Sequence, residues 1–319
     1  MVKIAIAGGA GNVAQEIIDA LVATKRHEVL VLTRRDPPAN GTASGITYAK
    51  TDYSSIDDLA TVLNGIHTVL SFVAAHLDQA EAASAQKLLI DASIRAGVKR
   101  FAPSEWFSTK FDHMPWYTFK IEARQYLQEI NKDKKVLEYC LFQPGMFTDY
   151  LSRPYMTAKH VKSLETPFDF QNRKMLIREG GEGDLMTFTT VQDLANVVAK
   201  AVEYEGEWPV IGGMRGSSIS IARLIELGED IRGGTFDVTR LRTEKLEAGT
   251  WTSPWVPMLF HPTLKPEHVE SASKVFTAGL LLAAKEGAFN TNDAWNKLLP
   301  DHEFEDAEKV WRAAFEGKA

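Results

Sequence analysis

One short segment near the start limits what this chain can become. Val2 to Ala7 reads as a short buried strand, and it runs directly into Gly8-Gly9-Ala10-Gly11-Asn12-Val13-Ala14. From Val13 to Ala23, the residues Ile17, Ile18, Leu21 and Val22 recur at helical spacing. A second strand is expected at Glu28 to Thr33. Strand, glycine turn, helix and strand in that order open a dinucleotide-binding βαβ unit. Small residues fall at Gly8, Gly11 and Ala14. The first permits a tight turn, the second lets backbone approach a pyrophosphate, and the third lets the helix lie close to the strand. The free N–H groups of the helix's first turn, at Asn12 and Val13, then face the anion.

The rhythm continues. Strands are expected at Ile46 to Lys50, His67 to Val73, Arg100 to Ala102 and Leu137 to Phe142, and helices at Ser54 or Ser55 through Leu63, Ala80 to Ala96, and Trp116 to Ile130. Alternation of this kind marks a parallel sheet covered by helices. After Pro144 the pattern weakens. Thr190 with Asp193 forms a capping signature before Leu194, Val197, Val198 and Val202. Val210-Ile211 reads as one more strand and Ser220 to Gly228 as another helix, and the tail from Glu267 is helical and charged. The expected fold is α/β: a Rossmann-type, doubly wound parallel sheet with a smaller α/β C-terminal substrate lobe. Residues 1–152 form the first unit, with a later contribution from about 188–213, and 153–319 mainly form the second.

Composition excludes several classes. Across 319 residues, 36 Lys and Arg face 42 Asp and Glu, so the chain lacks the basic excess that neutralises phosphate backbones. Cys140 is the only cysteine, so no intrachain disulfide forms, in keeping with a reducing cytosol. Val275 to Ala284 is about half the length of a membrane span. The N-terminus lacks a charged head before an apolar core, so the mature protein is expected to start at Met1 and stay in the cytoplasm. No His, Cys and acid cluster has metal-ligand spacing, and no Gly-x-Ser-x-Gly elbow is present. Neither a nucleic acid, a membrane nor a catalytic metal is expected.

The end of the second strand selects the cofactor. An NAD site places an acid there for the ribose hydroxyls; this chain has Thr33, Arg34 and Arg35, and Asp36 comes slightly late to replace that acid, though it leaves NAD open. The planar fork of arginine suits a 2′-phosphate, which points to NADP(H).

With these residues in view, the chain resembles the NmrA-like proteins, most closely the isoflavone-reductase-like branch of the atypical short-chain dehydrogenases. The resemblance lies in Gly8 to Ala14, Thr33-Arg34, Ser71-Phe72-Val73, the run from Ala96 to Glu105, Gln86, Lys120, the turn Gln143 to Phe147, and Thr190 to Ala195. It extends over essentially the whole chain and is strongest up to about Tyr150. It implies an NADPH-bound Rossmann domain facing a smaller lobe across a cleft. Phe72, Val73, Ala74, Pro144 and Phe147 are expected along the cofactor. Reductase members transfer hydride to small, often aromatic metabolites; other members bind NADP(H) as redox sensors without turnover.

Ordinary short-chain dehydrogenases carry Tyr-x-x-x-Lys, with the tyrosine as proton donor. Here Trp116 stands four residues before Lys120, and Tyr117 three before it. The resemblance assigns the work to Lys120 without the usual tyrosine: a desolvated lysine with a lowered pKa can orient ribose or move a proton directly or through water. On the substrate side the expected residues are His76, Trp106, Tyr117 and Met146, together with Trp251, Trp255 and Phe260 of a proline-rich stretch. Aromatic walls suit a flat substrate.

The chain therefore reads as an NADPH-dependent reductase of a small aromatic metabolite, acting as a monomer or homodimer. The alternatives are an NADP(H)-sensing regulator, or an NADP(H)-bound isomerase or cyclase of an alkaloid-type substrate with no net reduction.

Overall fold

The computed structural model describes residues 1–36, 45–74, 78–260 and 264–318. The first half alternates β1 (Val2–Ala7), α1 (Asn12–Ala23), β2 (His27–Thr33), β3 (Ile46–Lys50), α2 (Ile56–Val62), β4 (Thr68–Ser71), α3 (Gln79–Arg95), β5 (Arg100–Ala102), α4 (Thr118–Ile130) and β6 (Glu138–Tyr139). These strands form one six-stranded sheet in the order β3-β2-β1-β4-β5-β6, with every pairing parallel. That order is the Rossmann arrangement, which leaves a crevice where β1 and β4 diverge at their carboxyl ends.

Strand residues sort by the period of two. Ile4 and Ile6 of β1, with Val29 and Val31 of β2, face one cluster; Ala5, Ala7 and Leu32 face the other. The first cluster lies under α1 and α5 (Val191–Glu203); the second lies under α2, α3 and α4. The expected sixth strand is interrupted at Cys140, after which β7 (Leu141–Gln143) pairs in parallel with β12 (Ile211–Gly213). The Cys140 N–H donates to the Phe101 carbonyl at 3.1 Å, so the ladder continues across the break.

The segment that carried weak periodicity folds into short pieces. Between β7 and β12 come β8 (Met146–Phe147), β9 (Phe168–Asp169), β10 (Lys174–Arg178) and β11 (Leu185–Thr189); β13 (Ser217–Ser220), α6 (Ile221–Arg232), β14 (Asp237–Leu241), α7 (Thr243–Glu247), α8 (Val269–Lys285), α9 (Ala294–Leu298) and α10 (Ala307–Phe315) follow. Two three-stranded sheets, β14-β10-β9 and β13-β11-β8, enclose the second core with α6, α8 and α10. The chain passes between the lobes more than once. Met146 and Leu151 already sit in the second core, whereas Trp295 of α9 returns to stack on Phe142 of β7, 5.4 Å between ring centres.

Polar groups fix these crossings. Asp149 accepts from the Val191 N–H at 2.9 Å and the Thr157 hydroxyl at 2.7 Å, so one carboxylate caps α5 and holds the chain after β8. Burial raises its pKa above the ordinary carboxylate value. Asp193 accepts from the Thr190 hydroxyl at 2.7 Å and the Glu305 N–H at 3.0 Å, tying the C-terminal segment to the same helix end.

Candidate active site

The glycine loop has the backbone its chemistry requires. Gly8 sits at φ +76°, and a Cβ there would lie 2.7 Å from the Phe72 carbonyl carbon and oxygen. No side chain fits that position. Gly11 is different: a Cβ would meet only the Gly8 carbonyl oxygen, at 3.4 Å, so the space beyond it is open. Gly11 is also the N-cap of α1 and supplies no capping side chain, which leaves the first-turn N–H groups for an anion. Gly9, which the sequence spacing passes over, touches the neighbouring strand: its Cβ would fall 2.6 Å from Val31 Cγ1.

Tyr53 braces this loop from 45 residues away: its hydroxyl accepts from the Gly8 N–H and donates to the Leu32 carbonyl, each at 3.3 Å. Burial pushes its pKa up to about 12, so it remains a phenol. Nothing local in the sequence marks it, because both partners, one in the glycine turn and one on β2, are distant along the chain.

At the end of β2, the Thr33 hydroxyl closes a tight turn on the Arg35 backbone, accepting its N–H at 3.1 Å. The Arg34 guanidinium lies 5.7 Å from the Tyr53 ring centre and 3.1 Å from Glu81, in the first turn of α3. Arg35 is exposed. Asp36 is held 2.5 Å from Lys50, which keeps its carboxyl below the ordinary range. Two guanidinium groups are thus present at the carboxyl end of β2; of the acids beside them, Asp36 pairs with Lys50 and Glu81 with Arg34 itself.

From the glycine loop a cavity of about 810 Å³ extends between the lobes. Its wall includes Gly11, Asn12, Val13, Phe72, Ala74, Trp106, Tyr117, Lys120, Met146, Phe147 and Phe260 from the residues singled out in the sequence. Val73 and Pro144 are buried behind the wall. His76 lies outside the described residues. Trp251 and Trp255 are not in the cavity wall: Trp251 is 4% exposed within the second core, and Trp255 packs against that core with Lys174 Nζ 5.9 Å from its ring centre. The expected aromatic surface comes instead from Phe107, Trp116, Tyr117 and Phe276. Large apolar rings serve a core and a pocket equally well, so composition does not separate the two roles. Phe260 alone of the proline-rich trio reaches the opening, and it is 72% exposed.

Trp106 forms part of the floor. Its backbone has φ +54°, and the conformation is held at both ends: its N–H donates to the Phe142 carbonyl at 3.1 Å and its indole N–H to the Ser71 carbonyl at 2.7 Å. The ring stacks on Phe72 with centres 4.4 Å apart and planes within 8°. Behind it, the Gly145 turn has φ +75°, and a Cβ there would collide with the Thr187 carbonyl oxygen.

Lys120 projects from the first turn of α4 and is 6% exposed. Its ammonium donates to the Glu105 carbonyl at 2.5 Å and lies over the face of Tyr117, 4.1 Å from the ring centre. The tyrosine therefore offers the lysine its π face, not its hydroxyl. Burial is the main force on the lysine; with the Glu105 carboxylate opposing it and the Arg124 charge adding to it, the pKa falls to about 8. The Glu105 carboxylate is itself occupied: Arg124 Nε donates to it at 2.8 Å, and the same guanidinium donates to the carbonyls of Thr109 at 2.6 Å and Ser108 at 3.0 Å. Arg124 thereby fixes the loop whose carbonyl holds Lys120. Sequence reading did not reach Arg124; four residues after Lys120, it shares the helix face. Burial also pushes Tyr117 up to about 12.

The profile of the NmrA-like family matches residues 2–231. The chain belongs to the NmrA-like family. Among curated proteins, an oxidoreductase BOA1 of Botryotinia fuckeliana is 32% identical over 179 residues, 54% of this chain and 57% of that protein. The chain thus spans little more than half the length of that relative. Two solved structures share the fold of this NmrA-like chain. One, AtPrR2 with NADP+ and (+)pinoresinol, is 17% identical with a TM-score of 0.68 and covers 98% of both chains. The other, an NADPH-dependent quinone oxidoreductase QOR2 of Escherichia coli complexed with NADPH, is 18% identical with a TM-score of 0.70, covering 98% of this chain and 100% of that one. Among the described residues no helix is long and apolar enough to cross a membrane, and no group of three or more His, Cys, Asp or Glu is placed to hold a metal ion.

Proposed function

We infer that this NmrA-like protein is an NADPH-dependent oxidoreductase that reduces a small aromatic metabolite, with Lys120 assisting proton transfer. A relative named as an oxidoreductase and fold neighbours complexed with NADP+ or NADPH support the class. The observation that carries the reading is a buried lysine, with its pKa lowered to about 8, opening into the same cavity as the glycine loop.

The dinucleotide fits the residues present. Gly8 and Gly11 provide the close backbone approach, α1 offers uncapped N–H groups to the diphosphate, and Arg34 with Arg35 meets the 2′-phosphate. Bound NADPH supplies the hydride. The Phe72–Trp106 stack forms a rigid apolar floor for a planar ring, while Phe107, Trp116, Tyr117 and Phe276 enclose a flat substrate and exclude water. Reduction of a conjugated carbonyl, imine or related centre also consumes a proton, which Lys120 Nζ delivers directly or through one water. Tyr117 keeps its proton and supports the ammonium through its ring.

The test is Lys120→Met with two readouts. NADPH affinity should hold, while turnover falls at least about a hundredfold, the lower range for a proton-transfer group. Substrate is sought by incubating aromatic metabolites with NADPH and reading product mass: a gain of two hydrogens marks reduction, and an unchanged mass marks redox-neutral use of the site. Near-normal turnover of the variant removes Lys120 from the reaction.

A further inference from the structure

A strap that follows β8 crosses the first helix of the dinucleotide fold and buries Val161 in the first core. Glu16, 5% exposed on α1, accepts from two consecutive backbone N–H groups, His160 at 2.6 Å and Val161 at 3.1 Å. One turn along, Asp19 takes the side chains of Lys159 at 2.6 Å and His160 at 2.8 Å. Both carboxylates of α1 are thus spent on holding residues 159–161 in place, and a buried carboxylate is retained there because two N–H donors compensate its desolvation. The next residue is Lys162. Val161 and Lys162 line the cavity together with Gly11, Asn12, Val13 and Ala14, at the N-terminus of the helix that carries the strap. Unlike Lys159, Lys162 has no carboxylate among the described residues within 4 Å. An anchored backbone therefore places a lysine without a carboxylate partner among the described residues on the wall of the cavity that the glycine loop also lines.

We propose that Lys162 is a cofactor-binding residue that grips the diphosphate of the dinucleotide from the side opposite the glycine loop, and that Glu16 is the positioning residue that places it. The inference rests on the NADP(H) reading of the site. A helix N-terminus contacts one side of a diphosphate and leaves the outward oxygens to water; a lysine on the strap anchored to that same helix supplies the second contact.

Binding is measured by titration calorimetry of the purified protein with NADPH and with NADH, without any organic substrate. Lys162 is exposed, so Lys162→Met should fold normally. The variant should lose roughly tenfold in affinity for both nucleotides, a modest charge-assisted contact, and Lys162→Arg should restore most of it. Its NADPH affinity should also vary less steeply with salt than that of the wild type. Unchanged affinities overturn the proposal, as does a loss confined to NADPH, which places the lysine on the 2′-phosphate. A wild type that binds neither nucleotide overturns the cofactor reading itself, so the two failures are told apart.

Discussion

The ammonium of Lys120 rests on an aromatic face and a main-chain carbonyl, and that placement makes three residue-level outcomes calculable. In the unfolded chain a lysine keeps its proton to about 10.5, whereas the folded protein releases it at about 8. Between those values the unfolded state binds the extra proton, so stability rises with pH across that window, and the burial penalty is complete below it. Lys120→Met should therefore stabilise the protein near pH 7 by up to about 3 kcal/mol, an upper bound because the bond to the Glu105 carbonyl is also lost. Urea unfolding near pH 7 and near pH 10 should show that gain shrinking. If the charged lysine donates the proton, kcat/KM falls as pH passes about 8; a profile flat through that region contradicts a donor role. Tyr117→Phe keeps the ring under the ammonium, so turnover should remain within about threefold of wild type, whereas loss of a true proton-donating hydroxyl costs about a hundredfold or more. Lys120 was singled out by the family resemblance, and Tyr117 by its place three residues before it in the turn that leads into α4. Arg124 and Glu105, which hold the lysine, were not read as its support, since a salt bridge between a loop and a helix leaves no periodic trace.

At the level of elements, the order of strands and helices up to Ile130 follows from hydrophobic period and punctuation, and the observed ends fall close to the expected ones. The spacing of the glycine loop was readable, but its steric reasons were not, since Gly8 is confined by the Phe72 backbone and Gly9 by Val31, both from other segments. Gly8→Ala should abolish nucleotide binding and lower thermal stability, since the new methyl group meets the Phe72 backbone in a conformation already unfavourable for it; calorimetric titration and a melting curve measure the two effects. Arg34→Ala should lower affinity for NADPH while leaving NADH nearly unaffected, read as the ratio of the two dissociation constants. The neighbours of that arginine, Tyr53 and Glu81, arrive from distant segments, and no short-range pattern announces them. After Pro144 the strands are only two to five residues long. A strand of two residues is too short to show alternation, which is why that half of the chain read as fading.

For the whole molecule, the lobes are interwoven, not joined at a single linker. Trp295 docks on Phe142 of β7 in the first core, and Trp311 of α10 sends its indole N–H to the Thr148 carbonyl at 2.9 Å from within the second core. Trp311→Ala should cost about 3–5 kcal/mol, the usual range for emptying a fully buried tryptophan site, measured by chemical denaturation. Trp251→Ala should likewise reduce stability yet leave the KM of the folded enzyme for its organic substrate unchanged, because that ring faces the core and not the cavity. Its burial in the second core depends on the completed tertiary fold, so the proline-rich setting in the sequence carried no sign of which way the ring would turn.

The stacked pair at the floor of the cleft also supplies a built-in optical probe. Trp106 is one of seven tryptophans, and its indole borders the crevice while in ring contact with Phe72. Reduced nicotinamide absorbs where indole emits, so, on the proposed cofactor reading, ultraviolet-excited emission should dim on adding NADPH and recover on displacement. Replacing Trp106 with phenylalanine should erase much of that dimming, giving a label-free report of nucleotide binding.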